Sequence, residues 1–360
     1  MMLHFRIMRK ARRWSAGLIL IAAYMLCAVL ALASDFLAKA QTASNPAVSV
    51  EIVLPPRLIA SRPATLATLG ADHKLAGHVN VELGNGQHIR TDATGRANFT
   101  PTAAGVLLAK ARGTSAATLI DSEAGADAQR ELAVPPFAAL HNSFNICGGG
   151  FQGNAEANRV EINDEPVLVL AASPECIVVI PDPKMATGTA KILIESPSGP
   201  RQAAVTVVSL DFEPPQPLLT PGKKSWLTVH ARGSNERLRI LVENEAPDVL
   251  QFERGDEQAL VTSGGADNVA QIKAEALRSG DFSFHARLLP PSDTEAARRF
   301  LEAAEPMALA DLPHSLKNME DNLSRHPRDA EKIRDELERM LSLTSPGDFR
   351  TLLEAARSAL

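Results

Sequence analysis

The sequence predicts a mainly β chain, in which tandem β-sandwiches follow an N-terminal signal or anchor helix and a C-terminal α-helical module closes the chain. Three observations carry this. The first forty residues read as a basic stretch feeding an apolar run. From about residue 48 to residue 289 apolar side chains alternate with period two between turn residues, the mark of half-buried strands. Past Pro290-Pro291 the apolar period changes to between three and four, the mark of amphipathic helices. With 360 residues, 45% hydrophobic and 22% charged, the chain suits several globular domains and neither a disordered tail nor a bundle of membrane spans.

Residues 1–40 carry Arg6, Arg9, Lys10, Arg12 and Arg13 ahead of the uncharged apolar run 15–34. Ala31-Leu32-Ala33 and Ala38-Lys39-Ala40 both fit a signal-peptidase site. An uncleaved anchor is the alternative, since about 20 apolar residues cross a bilayer with basic residues on the cytoplasmic side. Either way the chain after residue 41 is expected outside the cytoplasm, in the periplasm, at the cell surface or secreted; if the N-terminal segment is uncleaved, residues 15–34 anchor it in the inner membrane and are its only membrane contact. Cys27 reads as one more apolar residue of that run, because Leu26 stands where a lipoprotein signal needs a small residue. Beyond residue 40 the chain holds 31 basic against 41 acidic residues. That surplus of acid opposes nucleic-acid binding, which depends on attraction to phosphate. Trp14 and Tyr24 lie in the leader, so the remainder keeps Trp226 and no tyrosine. A catalytic tyrosine is thereby excluded there, and stacked aromatic platforms for sugars are disfavoured.

The segment 46–134 alternates over 48–54, 64–69, 78–83, 87–90 and 105–112, with a tight hairpin turn at Gly84-Asn85-Gly86. Thr91-Asp92-Ala93-Thr94-Gly95-Arg96-Ala97-Asn98-Phe99-Thr100 is a second turn leading into a strand. At these residues the segment resembles bacterial immunoglobulin-like (Ig-like) domains of the invasin type, and also carboxypeptidase-regulatory-like modules; both imply a β-sandwich.

In 137–210, Ile146-Cys147-Gly148-Gly149-Gly150-Phe151-Gln152-Gly153 precedes strand-like runs at 158–163, 167–170, 176–181 (ending at Pro181), 191–194 after Gly188, and 204–208. This order resembles an IPT/TIG domain, an Ig-like fold of cell-surface receptors, bacterial surface proteins, some transcription factors and some carbohydrate-active enzymes. Glycines there let the backbone turn sharply before Phe151 enters the core. The family's opening strand is proline-containing, whereas here Pro135-Pro136 precede a short 137–142 stretch, so a short or irregular first strand is expected. The strand order implied by the resemblance places Cys147 and Cys176 side by side on antiparallel neighbours, and an exported chain meets an oxidising environment. A disulfide is expected on that ground, with two buried free thiols as the alternative. The glycine run lacks the Lys-Ser/Thr and the helix of a phosphate loop.

A proline-rich linker after Glu213 leads to a third sandwich over 218–290, with runs at 226–231, 238–243, 249–252, 259–262, 269–277 and 282–289. Trp226 is expected as its core anchor. In 292–360, Ser292 and Glu295 form a capping box. Ala297, Phe300, Leu301 and Ala304 make one apolar stripe, Leu316, Met319 and Leu323 a second, and Ile333, Leu337 and Leu341 a third. Leu352, Leu353 and Ala356 make the fourth. Pro313, Pro327 and Pro346 fall near helix starts. A discrete helical unit is expected.

No catalytic, cofactor-binding or metal-ligating residues are assigned. His73, His78 and His88 sit near Asp72 and Glu82, but gaps of five and ten residues in a turn-rich β segment lack ligand spacing. No Gly-x-Ser-x-Gly elbow occurs. Acid pairs such as Glu243/Glu245 and Asp256/Glu257 read as solvated turn residues, and no calcium loop is present. The expectation is therefore a non-enzymatic extracytoplasmic multidomain protein without a cofactor, acting in binding, adhesion or spacing at the cell envelope through a protein or cell-surface partner. The alternative is an accessory, non-catalytic region or subunit of an exported enzyme of the carbohydrate-active kind.

Overall fold

The computed structural model describes residues 50–122, 131–196, 199–213, 220–309 and 312–360. The expected leader 1–40 and the prolines of the linker, 214–217, lie outside them. The described chain is mainly β with a C-terminal helical region. No helix among the described residues is long and apolar enough to cross a membrane.

The first sandwich sets Glu51–Val53, Ala64–Leu69 and Arg96–Phe99 against a sheet ordered Arg57–Ile59, Thr114–Asp121, Gly105–Ala111, Asn80–Leu83, His88–Arg90. The alternation that marked these strands fills the space between with Leu58, Leu66, Val81, Leu83, Phe99 and Leu107. Ala64–Leu69 is buried along its whole length because its second face is also covered: Ala67 and Leu69 pack with Leu170 and Val178.

The strand also runs on into the second sandwich, since Thr65 pairs Ala172 of Leu168–Ala172. Cys176–Ile180 and Phe144–Cys147 then complete a six-stranded sheet across both sandwiches. The opening strand of the segment 137–210 is short, Phe137–Ala139, and pairs in parallel with the 15-residue strand Gly199–Glu213. That long strand makes the second continuity: its first half pairs Gly188–Ser196, while Ser209 to Glu213 pair Lys224–Arg232 of the third sandwich. Two continuous sheets thus join three cores, where beads on linkers would share none.

Four helices follow: α1 (Thr294–Ala304), α2 (Leu312–Arg325), α3 (Ala330–Leu343) and α4 (Asp348–Ala359). Their apolar stripes are the expected ones, but the helices do not stand apart. Their core includes Leu119 of the first sandwich, flanked by Val106, Leu108 and Ala117. Thr114–Asp121 therefore buries one face inside its own sandwich and the other under α1 and α4. Polar pairs reinforce the contact: Arg57 to Asp293, Arg299 to Asp121, and Ser115 to Thr351. The cap of α1 also differs from the expected box. Asp293 accepts from the Ala296 amide, and Ser292 instead donates to the Leu360 carbonyl.

Candidate functional site

The glycine motif is a structural corner. Gly148, Gly149 and Gly150 all take positive φ (138°, 72° and 75°), conformations that side chains other than glycine rarely adopt. The Gly148 and Gly149 amides both donate to the Glu175 carbonyl, so neither is presented to an anion. Arg201 donates to the Gly149 carbonyl and lies 5.9 Å over the Phe151 ring. Cys147 and Cys176 stand opposite each other in the antiparallel ladder, Cα atoms 4.1 Å apart and sulfurs bonded. Gly153 serves the junction of the first two sandwiches: a Cβ there would lie 2.0 Å from the Pro63 carbonyl oxygen. Pro181 is buried at the end of its strand, and Gly188 (φ 120°) opens the strand that pairs Val207.

Trp226 departs from expectation. It is 57% exposed, not a core anchor, because Leu227, Val229 and Ala231 take the inward parity of Lys224–Arg232 and leave Lys224 and Trp226 on the outer face. Across the ladder Trp226 pairs Lys273 and Lys224 pairs Glu275, with Gln251 opposite Glu275 on the next strand. Paired residues share a face, so the outer surface of this sheet is polar around one indole. A shallow hollow of about 160 Å³ lies in it, lined by Lys224, Gln251, Glu253, Lys273 and Glu275. Lys273 reaches Glu253 at 3.4 Å and Lys224 reaches Glu275 at 3.6 Å.

The histidines are placed differently from the grouping that proximity in sequence suggested. His78 and His88 are exposed and join no cluster. His73 instead meets His285 and Glu245 of the third sandwich, the one group among the described residues with metal-ligating atoms gathered in this way. Burial, then the neighbouring His73, holds the His285 imidazole below its ordinary range, while burial pushes the nearby Glu51 carboxyl up. Distance along the chain hid this group: 212 residues separate the two histidines, and no spacing rule spans that interval.

No family model matches the chain, and no curated protein matches it. Among solved structures it is similar to the Bacteroides ovatus mixed-linkage glucan utilization locus protein SGBP-B in complex with a mixed-linkage heptasaccharide (11% identity, 66% of this chain and 60% of that one, TM-score 0.17). It is similar to the N-terminal four Ig domains of Dscam1 isoform 6.44 (10% identity, 65% and 73%, TM-score 0.20). It is also similar to invasin, a bacterial integrin-binding protein (13% identity, 67% and 57%, TM-score 0.17). The chain thus spans less than two thirds of SGBP-B and of invasin, and TM-scores this low fix no partner.

Proposed function

We propose that this chain is a non-enzymatic extracytoplasmic protein of Ig-like sandwiches that binds a protein partner at the cell envelope through the Trp226 face of its third sandwich. The observation that carries this reading is the exposure of Trp226 on an outward sheet face. A tryptophan held out to water by strand parity loses little conformational freedom on binding and buries a large area, which is why tryptophans dominate interface energetics. The rigid scaffold behind it, continuous through Gly199–Glu213 with the second sandwich, favours recognition over chemistry. The Cys147–Cys176 pair and the leader support export. A second reading rests on the same face: an indole next to Lys273, with Gln251 on the strand beyond it and Glu253 just past that strand's end, suits stacking on a sugar ring, as an accessory region of a carbohydrate-active enzyme would use it.

The test is direct because Trp14 and Trp226 are the only tryptophans. In the Trp14→Phe chain all indole emission reports on Trp226. A photo-crosslinking amino acid at 226, used in the native envelope, should trap one discrete protein species that is lost when the probe is moved to position 261 on another sheet. Trapping of no discrete species, together with a blue shift of Trp226 emission on adding soluble envelope glycans, would replace the protein-partner reading by the sugar-binding one. No trapping and no shift would end both.

A further inference from the structure

We infer that His73, Glu245 and His285 form a zinc site that clips the first sandwich to the third. His73 sits in the turn after Ala64–Leu69, where its amide donates to the Gly70 carbonyl and the Gly70 amide to the Lys74 carbonyl. Its φ of 56° is a left-handed conformation that asparagine, aspartate and histidine adopt more often than other side chains, and its imidazole lies against the third sandwich. There Glu245 follows the strand Arg239–Asn244, and His285 lies on Phe284–Leu288, paired in register with Glu243. The two rings stack with centroids 4.5 Å apart and planes 19° apart. His73 Nε2 is 3.7 Å from a Glu245 carboxylate oxygen, and the three potential ligating atoms lie within 4.8 Å of one another.

The donor set decides the metal. Two imidazoles and one carboxylate are the N₂O ligands of a zinc site with one position left for water or a further ligand, and an oxygen-preferring ion such as Mg²⁺ or Ca²⁺ would find only one charged oxygen donor. Tetrahedral bonds of about 2.0–2.1 Å place ligand atoms roughly 3.3 Å apart, so no pair need close by more than about 1.5 Å, and at least one of the two stacked rings must turn out of parallel so that both ring planes meet at the metal. His73 and Glu245 keep 41% and 39% of their side-chain surface exposed, which leaves them the rotamer freedom to do so. Asn142, from the second sandwich, lies 3.0 Å from His285 Nε2. A half-turn of its amide sets the carbonyl oxygen there to accept the Nε2 proton, freeing Nδ1 as the donor atom, the outer-sphere arrangement that orients metal-bound histidines. Arg287, the neighbouring cation, is already engaged with Glu243 at 3.1 Å. All three sandwiches therefore contribute to one point, and among the described residues no sheet joins the first to the third.

The test uses the untagged full-length chain, purified in mild detergent and stripped with chelator. Titration calorimetry with ZnCl₂ should show one saturable site, unaffected by millimolar Mg²⁺. His73→Asn, which retains a residue tolerant of positive φ, and His285→Gln should each weaken binding at least tenfold, while His78→Gln leaves it unchanged. Zinc should raise the melting temperature of the wild type and not of the double variant, whose far-UV circular dichroism should match the wild type. Substituted Co²⁺ should give visible bands of tetrahedral intensity. Absence of saturable zinc binding by the wild type, or equal affinity in the folded His73→Asn/His285→Gln chain, overturns the site.

Discussion

The first sandwich meets its neighbours in two contrasting ways. Toward the second sandwich the contact is made at the level of the backbone: a shared sheet through Thr65 and Ala172, the Thr65 hydroxyl donating to the Gly153 carbonyl at 2.7 Å, and Gly153 pressed against Pro63 with no room for a Cβ. Arg96, 8% exposed, donates to the carbonyls of Val169 and Leu170 at 2.7 and 3.3 Å, where the ladder shifts register between Val169 and Ala171. Toward the third sandwich, by contrast, the contacts of the first sandwich and of the helices are made by side chains: His73 to Glu245 and His285 from the first sandwich, and Arg357 to Glu257 and Glu331 to Arg239 from the helices. Backbone contacts of the first kind tolerate no substitution, because neither strands nor buried carbonyls can move away. Contacts of the second kind open at small cost, because half-exposed ion pairs are screened by water, and they are where a ligand or a metal gains leverage on the arrangement.

The sealed side should show the largest effects. Reducing the Cys147–Cys176 bond, which closes a sequence separation of 29, should cost about 3–4 kcal/mol by the loop-closure relation. Thiol titration of the unfolded, non-reduced chain should find Cys27 alone; three reactive thiols would remove the bond from the account. Gly153→Ala comes next, at about 3 kcal/mol, since the added methyl collides with a backbone carbonyl that belongs to the other sandwich. A melting temperature within a degree of wild type would show that the junction yields where the backbone contact says it cannot. Arg96→Met keeps the apolar stem and removes the guanidinium, leaving the Val169 and Leu170 carbonyls without their partner; about 2–3 kcal/mol should be lost in urea denaturation. Equal stability would mean that water replaces the arginine and that this side is wetter than its burial implies.

Legibility follows the same division. Period-two alternation and the change of period past Pro290 revealed a mainly β chain with terminal helices because each signal is local. Arg96 carries no local signal of its role, since its partners are the Val169 and Leu170 carbonyls, at an irregularity in a strand more than 70 residues away. The apolar stripes of the helices showed which face is buried and not what buries it, so the packing on Leu119 was invisible. Trp226 is different in kind: the parity of Leu227, Val229 and Ala231 is a local signal, and it places Trp226 on the outer face of its strand. The pairing of His73 with His285 has no local signal, because the histidines near His73 in sequence are not the ones it meets.

The smallest effect belongs to the side-chain contacts and tests their sign. Glu338, on the exposed rim of the hollow where α3 meets the third sandwich beside Arg357, Leu241 and Ala259, has its carboxyl held above the ordinary value of 4.5, first by partial burial and then by Asp335 and Glu257, against the pull of Arg357. In the window above 4.5 the folded chain therefore binds more protons than the unfolded one. Stability then falls as pH rises through that window, and the deficit persists at neutral pH. Glu338→Gln removes the charge with little change in helix propensity, so the variant should exceed wild type at pH 7 and match it near pH 4, where both carboxyls are protonated. Solvent screening of so exposed a group keeps the gain below about 0.5 kcal/mol, measurable as a difference in urea midpoints at the two pH values. A gain of equal size at both would trace it to packing, and a loss at pH 7 would mean that attraction to Arg357 outweighs burial, making this rim of the third sandwich a tighter contact than its exposure indicates.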